Sequence, residues 1–232
     1  MAQNDTSKIF SFLNTNLLNN LPENLELVLD IGCGTGELGA EYKKNNKSSV
    51  WHGIDINNDA LKQAKKNLDA AWKVDANAFK ANASMKKKKY DSLIYSLSLE
   101  QFENPANAIE SHLKVLKKDG KLFICFPNIQ HWSLLRHLIS GNWNPSDKGI
   151  LHHDNQHHFT RKSFMVMLDS IGLKMIDLHR YSYEREAIFR SRRGTRIKTL
   201  QKLQEFCKAT LLHYNENDFR TYHYVISATR KP

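Results

Sequence analysis

Two stretches of this chain carry residue types that do chemistry. In LHHDNQHHFT, Leu151 to Thr160, four of the eleven histidines and one aspartate fall within seven consecutive positions. Imidazoles at that density serve as metal ligands, as acid-base groups or as solvated loop residues, and the segment alone does not choose among them. Far upstream, VLDIGCGTGELG sets Gly32, Gly34 and Gly36 directly behind an apolar run. Glycines there let a backbone approach a ligand that a Cβ excludes, and a following helix N-terminus offers unpaired N–H groups. Gly34-Thr35-Gly36-Glu37-Leu38-Gly39 also fits the GxGxxG pattern of dinucleotide sites.

These residues need elements to hold them. Apolar runs that alternate with helical stretches predict a largely parallel sheet wrapped by helices. LELVLDIG (25–32), VWHGIDI (50–56), AWKVDA (71–76), YDSLIYSL (90–97) and KLFICFP (121–127) read as buried strands. KMIDLHRYSY (174–183) and TYHYVISATRKP (221–232) read as two more. Helical patterns cover 37–46 and 58–69, the second opening on the cap candidates Asn57, Asn58 and Asp59. Pro105 to Gly120 predicts a helix with proline in its first turn and glycine past its end. Further on, 131–141 reads as a short helix and 142–149 as a loop, and a helix starting at Thr160 or Arg161 is closed by Gly172. Residues 8–21 are expected to form a helix on the sheet edge, and 197–212 an amphipathic one inside the long final connection.

Three acids discriminate between cofactors. Asp30, Asp55 and Asp75 fall at or near the ends of the first three strands, and ligands of open α/β sheets lie across those carboxyl ends. Asp55 suits a ribose diol under either cofactor. Asp30 and Asp75 would repel a pyrophosphate but suit an ammonium, a sulfonium and an adenine amine, all of which S-adenosylmethionine carries.

Val28-Leu29-Asp30-Ile31-Gly32-Cys33-Gly34-Thr35-Gly36, Gly53-Ile54-Asp55-Ile56 and Val74-Asp75-Ala76, at their spacing, resemble the class I S-adenosylmethionine-dependent methyltransferases. The resemblance implies that Gly32, Gly34 and Gly36 border the methionine part, that Asp55 holds the ribose hydroxyls, and that Asp75 contacts adenine with Ile56 and Ala76 beside the ring. Asp30, Cys33 and Ser96 complete the expected cofactor set. It implies a Rossmann-like seven-stranded, mostly parallel sheet of order 3-2-1-4-5-7-6, helices on both faces, and an extra helical insertion between strands six and seven. One domain then spans 1–232, with a helical cap at 1–24 and acceptor-side insertions at 128–160 and 183–220.

A sulfonium methyl is already activated, so transfer needs a nucleophile held in line and a base only for a poorly acidic hydroxyl or a protonated amine. Candidate bases belong after strands four and five. Ser98-Leu99-Glu100-Gln101 resembles a subgroup pattern Leu-Glu-His, with Glu100 matching and Gln101 at the histidine position. Phe126-Pro127-Asn128, His131-Trp132-Ser133-Leu134-Leu135-Arg136 and Gly149-Ile150-Leu151 resemble small-molecule methyltransferases of bacterial polysaccharide and secondary biosynthesis, of the type 11/12-like subgroup. Of that subgroup's later pattern only Phe159-Thr160 persist. His152, His157 and Glu100 are the expected catalytic residues. Convergence of His152, Asp154 and His157 on a metal lacks any CxxC or HExxH support, so no metal is expected.

At 232 residues, with 41% hydrophobic and 25% charged residues, composition fits one folded domain. No apolar run approaches membrane-span length and no signal-peptide pattern opens the chain, so a soluble, cytoplasmic protein is expected. Cys33, Cys125 and Cys207 are too scattered for a disulfide framework. The net charge of +10 favours an acidic partner. Lys86 to Lys89 read as a solubilising flank, whereas Arg185, Arg190, Arg192, Arg193, Arg196, Lys198 and Lys202 suit a phosphate on the acceptor. The expected partner is a small-molecule acceptor, hydroxyl or amine. RNA methylation is the alternative, as is a cofactor-binding subunit without activity, and the missing Asn/Asp-Pro-Pro-aromatic tetrad after strand four argues against the former. Replacing His152 and His157 by alanine is expected to cut turnover and leave cofactor affinity intact. Unchanged turnover in both variants, measured beside a cofactor isotherm, removes the acid-base reading of the segment.

Overall fold

Alternation of side chains along each strand accounts for the architecture of the computed structural model, which describes residues 13–86, 88–147, 149–182, 205 and 215–232. The strands are β1 (Leu27–Ile31), β2 (Val50–Asp55), β3 (Ala70–Lys73), β4 (Tyr90–Ser96), β5 (Leu116–Pro127), β6 (Leu173–Tyr181) and β7 (His223–Arg230). They form one sheet in the order β3-β2-β1-β4-β5-β7-β6. β1 to β5 pair in parallel, and β7 runs antiparallel to both β5 and β6. This is the expected order.

Parallel strands with helices on both faces bury both sets of side chains. Leu29, Ile31, Leu93, Tyr95, Leu122 and Ile124 face one core cluster, filled from outside by Ala108 and Ile109 of α5 (Pro105–Leu113) and by Phe164 and Leu168 of α7 (Arg161–Ser170). Val28, Trp51, Ile94, Phe123, Cys125 and Val225 face the other. There Leu17 of α1 (Thr15–Leu18), Leu38 and Tyr42 of α2 (Glu37–Asn45), and Leu61 and Ala64 of α3 (Asn58–Asn67) close the layer. Short helices α4 (Ala83–Lys86), α6 (Trp132–Ile139) and α8 (Glu216–Arg220) complete the described set, with a 3-10 turn at Leu99–Gln101.

Three expected boundaries change. The helix from Pro105 ends at Leu113, and β5 starts at Leu116, so Gly120 lies inside a strand. Two tertiary bonds cut the helix short: Tyr90 N–H donates to Val115 O at 2.8 Å, and the Arg230 guanidinium donates to Leu113 O at 2.7 Å. β3 stops at Lys73 rather than 76, which frees Asp75 and Ala76 from the sheet. Of the expected N-terminal helix only α1 and its Asn14 cap lie among the described residues. Cys207, the helix at 197–212, most of the 183–220 insertion and its arginine cluster fall outside them.

The segment after β5 is tied back by aromatic packing and one ion cluster. Phe126 and Phe164 stack at 4.0 Å, and Phe159 meets Phe164 edge-on at 5.0 Å. The buried Asp218 carboxylate accepts from Arg161 Nε at 3.1 Å, Arg161 Nη2 at 3.0 Å and Tyr224 OH at 2.7 Å. Burial alone raises the Asp218 pKa, but the Arg161 and Tyr224 hydrogen bonds outweigh it and hold the carboxyl below its ordinary value. Its stabilisation is therefore present above the unfolded value and lost as pH falls through the depressed one. Asp218→Ala is expected to cost about 2–3 kcal/mol in urea unfolding, below the range for a fully buried pair because Arg161 stays partly solvated. The variant should also lose part of the wild-type fall in stability below about pH 4, and an unaltered acid limb would remove this assignment.

Candidate functional site

The turn out of β1 is shaped by backbone that only glycine adopts readily. Gly32, Gly34 and Gly36 have φ of +75°, +52° and +77°. A Cβ on Gly32 would also sit 2.8 Å from Ser98 Cβ, so the turn passes directly under the loop after β4. Ser98 Oγ donates to Ile31 O at 2.8 Å and fixes that crossing. Leu97, one residue earlier, holds a left-handed φ of 56°, a strained conformation for a branched side chain, and its N–H donates to Cys125 O at 3.1 Å. Backbone strain concentrated beside a glycine turn marks a built site.

Asp55 stands at the end of β2 with both oxygens engaged. Oδ2 accepts from Gly34 N–H and Oδ1 from Asn57 N–H, each at 2.8 Å. Each carboxylate oxygen keeps a further lone pair, so a diol meeting Asp55 finds two preset acceptors. Ile56 beside it is 64% exposed, a large apolar face offered to a flat ring. Asp75 is exposed on the turn after β3, where Oδ1 accepts from Asn77 N–H at 2.9 Å. The Ala76 carbonyl is held by His112 Nε2 at 3.1 Å, while His112 Nδ1 meets Tyr95 OH at 3.0 Å. Burial pulls the His112 pKa to about 4, which keeps the ring neutral and fits a donor at Nε2 with an acceptor at Nδ1. His112 thereby positions the ring-side turn from beneath.

Asp30 lies on the α1 face of β1, 1% exposed, with Oδ1 unpartnered. Burial, then the charge of Asp55, raises its pKa to about 7. Ser96 shares that face, its Oγ accepting from Asn14 Nδ2 at 3.1 Å. Cys33 borders the turn by its backbone only, because its thiol packs inward where a Gly53 Cβ would lie 2.5 Å from Sγ. Burial, with Asp30 and Asp55, pushes that thiol's pKa well up. An orphaned buried carboxyl, a diol acceptor and an exposed apolar ledge along three strand ends fit an adenosine with a cationic tail.

The second half of the crevice follows β4 and β5. Glu100, in the 3-10 turn, is 1% exposed, has Oε1 unpartnered, and is pushed by burial to a pKa of about 8. The histidine segment is bound to it through backbone: Glu100 O accepts from Gln156 N–H at 2.8 Å and His157 N–H at 2.9 Å. His157 Nε2 turns to Glu103 O at 3.0 Å. His152 Nδ1 accepts from Asp154 N–H at 3.2 Å and stacks on His153 at 4.6 Å. The ligand atoms of His152, His153 and Asp154 lie within 4.8 Å of one another, whereas His157 is not in that group. His153 is already paired, 3.1 Å from Asp154 Oδ1 and 3.4 Å from Asp147 Oδ1.

Two further imidazoles complete the crevice. His131, the cap of α6, is 2% exposed with Nε2 unpartnered, and His158 has Nδ1 unpartnered with its ring 5.5 Å from Trp143. Among the described residues four buried side-chain polar atoms lack a hydrogen-bond partner, on Asp30, Glu100, His131 and His158. Asp30 is the penultimate residue of β1, Glu100 follows β4, and the two histidines lie in the segment after β5, so all four lie toward the carboxyl ends of the strands. Buried polar atoms are nearly always paired, so a cluster of exceptions marks a place where ligand atoms belong. Sequence reasoning passed over His131, His112 and Asn14. The PNIQHW stretch had drawn notice to the first, and no local pattern distinguishes the other two.

A sequence profile of the methyltransferase domain family matches residues 23–192. Malonyl-acyl-carrier protein O-methyltransferase of Brevibacillus brevis is 24% identical over 163 residues, 68% of this chain and 58% of that protein. The ubiquinone biosynthesis O-methyltransferase of Nitrosomonas europaea is 30% identical over 119 residues, 50% of each chain. This chain thus matches 58% and 50% of the length of these relatives. Among solved structures, a SAM dependent methyltransferase from Archaeoglobus fulgidus aligns with a TM-score of 0.59 at 18% identity, covering 90% of this chain and 87% of that one. The plantazolicin methyltransferase BpumL in complex with SAH aligns with a TM-score of 0.58 at 20% identity, covering 97% and 82%. At such identities the structures establish the fold. The profile match takes in every strand from β1 to β6, and on that ground the chain belongs to the methyltransferase domain family.

Proposed function

We propose that this chain transfers a methyl group from S-adenosylmethionine to a hydroxyl of a small molecule, with Glu100 accepting the hydroxyl proton. The observation that carries the reading is the buried Glu100 carboxyl, with Oε1 unpartnered and its pKa raised by burial to about 8, at the strand edge where Asp30 and Asp55 also stand. The O-methyltransferase names of both relatives agree with a hydroxyl acceptor rather than an amine.

When bound, S-adenosylmethionine supplies an electrophilic methyl carbon on a positively charged sulfur, which leaves as a neutral thioether. The chain's own work is to hold and to deprotonate. Asp55 would hold the ribose hydroxyls, Asp30 the cationic tail, and the turn bearing Asp75 and Ala76, with Ile56, the adenine. The ionised Glu100 takes the proton as the acceptor oxygen bonds to the methyl carbon. His157 serves as a positioning residue, since its backbone N–H and its Nε2 both bind the Glu100 to Glu103 turn. His152 holds the loop before it through the Asp154 N–H. No described helix is long and apolar enough to cross a membrane.

Glu100→Gln is expected to lower kcat by about 100-fold or more, the usual scale for a lost general base, with S-adenosylmethionine affinity within twofold. Wild-type kcat should rise with pH through about 8 and the variant should not, as followed by S-adenosylhomocysteine release over a panel of phenols and hydroxy acids. A variant with wild-type rate and pH profile refutes the base assignment. Asp30 gives a separate pH signature. Its raised pKa means that the ligand-free fold is favoured by protonation and loses that stability as pH rises through about 7. A cationic ligand prefers the ionised form, so calorimetric affinity for S-adenosylmethionine should increase from pH 6 to 7.5. Asp30→Asn should abolish that rise and stabilise the ligand-free protein at pH 8. An equal rise in both proteins would contradict the assignment.

A further inference from the structure

We infer that His131 Nε2–H is a specificity-determining hydrogen-bond donor that selects acceptors carrying, besides the hydroxyl to be methylated, a second oxygen able to accept a hydrogen bond. The inference rests on the methyl-transfer reading above and names the substrate class it takes.

The tautomer follows from the contacts at the start of α6. His131 Nδ1 accepts from Ser133 N–H at 3.4 Å and lies 2.7 Å from Ser133 Oγ, so its lone pair is in use and the neutral ring carries its hydrogen on Nε2. Burial, with His223 nearby, brings the ring's pKa to about 4 and keeps it neutral. The Nε2–H then has no protein acceptor and is shut off from bulk solvent. His112 shows what a purely structural histidine of this fold looks like: equally buried, with both nitrogens bonded. His131 differs at one atom, and that atom needs an oxygen from outside the chain.

Backbone bonds bring this donor to the same rim as Glu100. Glu100 O accepts from Gln156 and His157, and Phe159, two residues on, bridges to Asn128 while its carbonyl accepts from Ile129 N–H at 3.1 Å. His131 N–H in turn donates to Asn128 O at 3.2 Å. The short run 156–159 thus staples the turn that carries Glu100 to the turn that carries His131. His158, inside that run, leaves Nδ1 unpartnered beside Trp143, and Tyr222 stands edge-on to His131 at 5.1 Å. Aromatic rings bordering one donor and one carboxyl suit a planar hydroxy-carbonyl or hydroxy-carboxylate compound.

The test compares 2-hydroxybenzoate and 2-hydroxyacetophenone with phenol, which lacks the second oxygen. Wild-type protein should favour the oxygen-bearing probes by about 100-fold in kcat/KM, because leaving a site's buried donor unpaired penalises the analogue. His131→Leu should reduce that ratio to within threefold while S-adenosylmethionine affinity stays unchanged, and His131→Gln, whose amide N–H reaches a similar point, should restore at least tenfold. A histidine that merely supported α6 would lower all probes together and leave the ratio intact, which overturns the inference. Calorimetry of the same probes against the S-adenosylhomocysteine complex separates this outcome from failure of the methyl-transfer reading. Binding of the oxygen-bearing probes that depends on His131 without turnover refutes the transfer and upholds the donor. Absence of both binding and turnover for every oxygen-bearing probe overturns the donor as well.

Discussion

Burial of a parallel sheet on both faces is the constraint from which the rest follows. Val28 and Leu29 point to opposite cores, both fully buried, and the same holds for Phe123 and Ile124. With no wet face in the central strands β1, β2, β4 and β5, their polar groups reach a ligand where strands end and the chain reverses. The glycine turn after β1, the Asp55 carboxylate after β2 and the 3-10 turn after β4 all occupy that edge. Strain gathers there too, in the left-handed Leu97, whose N–H is held by the Cys125 carbonyl and which precedes the Ser98 that crosses the glycine turn.

The same burial sets the charge state of the edge. Asp30, on β1, and Glu100, in the 3-10 turn after β4, are raised for the same leading reason, desolvation, to about 7 and about 8. Their partners differ. Asp30 has Asp55 close enough to push it further, which a cation relieves. Glu100 has no such neighbour driving it, and its state answers to whatever fills the space before it. His112, His131 and His223 are moved the other way by burial, each to about 4, so the edge offers neutral imidazoles and near-neutral carboxyls rather than fixed charges.

Strand order followed from the family resemblance, and the glycine turn and the acids near strand ends were legible because they are written locally. Glycines spaced by two behind an apolar run, and acids at strand ends, need only a turn's length of sequence to have meaning. The acceptor half was legible in part. Glu100 was singled out from the Leu99-Glu100 pair, while the density of LHHDNQHHFT drew attention to His152 and His157, which the fold engages with its own backbone. The orphaned imidazole of His131 is isolated in sequence and known only by what fails to meet it, a property of three dimensions. Helix ends were misjudged for a similar reason: Arg230, more than a hundred residues away, takes the carbonyl of Leu113 and ends α5 before Gly120.

The bonds from Gln156 and His157 to Glu100 are made by main-chain N–H groups, and so they are indifferent to which side chains the segment bears. Substitutions along 152–158 therefore leave these two main-chain bonds in place, while a change at His157 removes only the additional side-chain bond to Glu103 O.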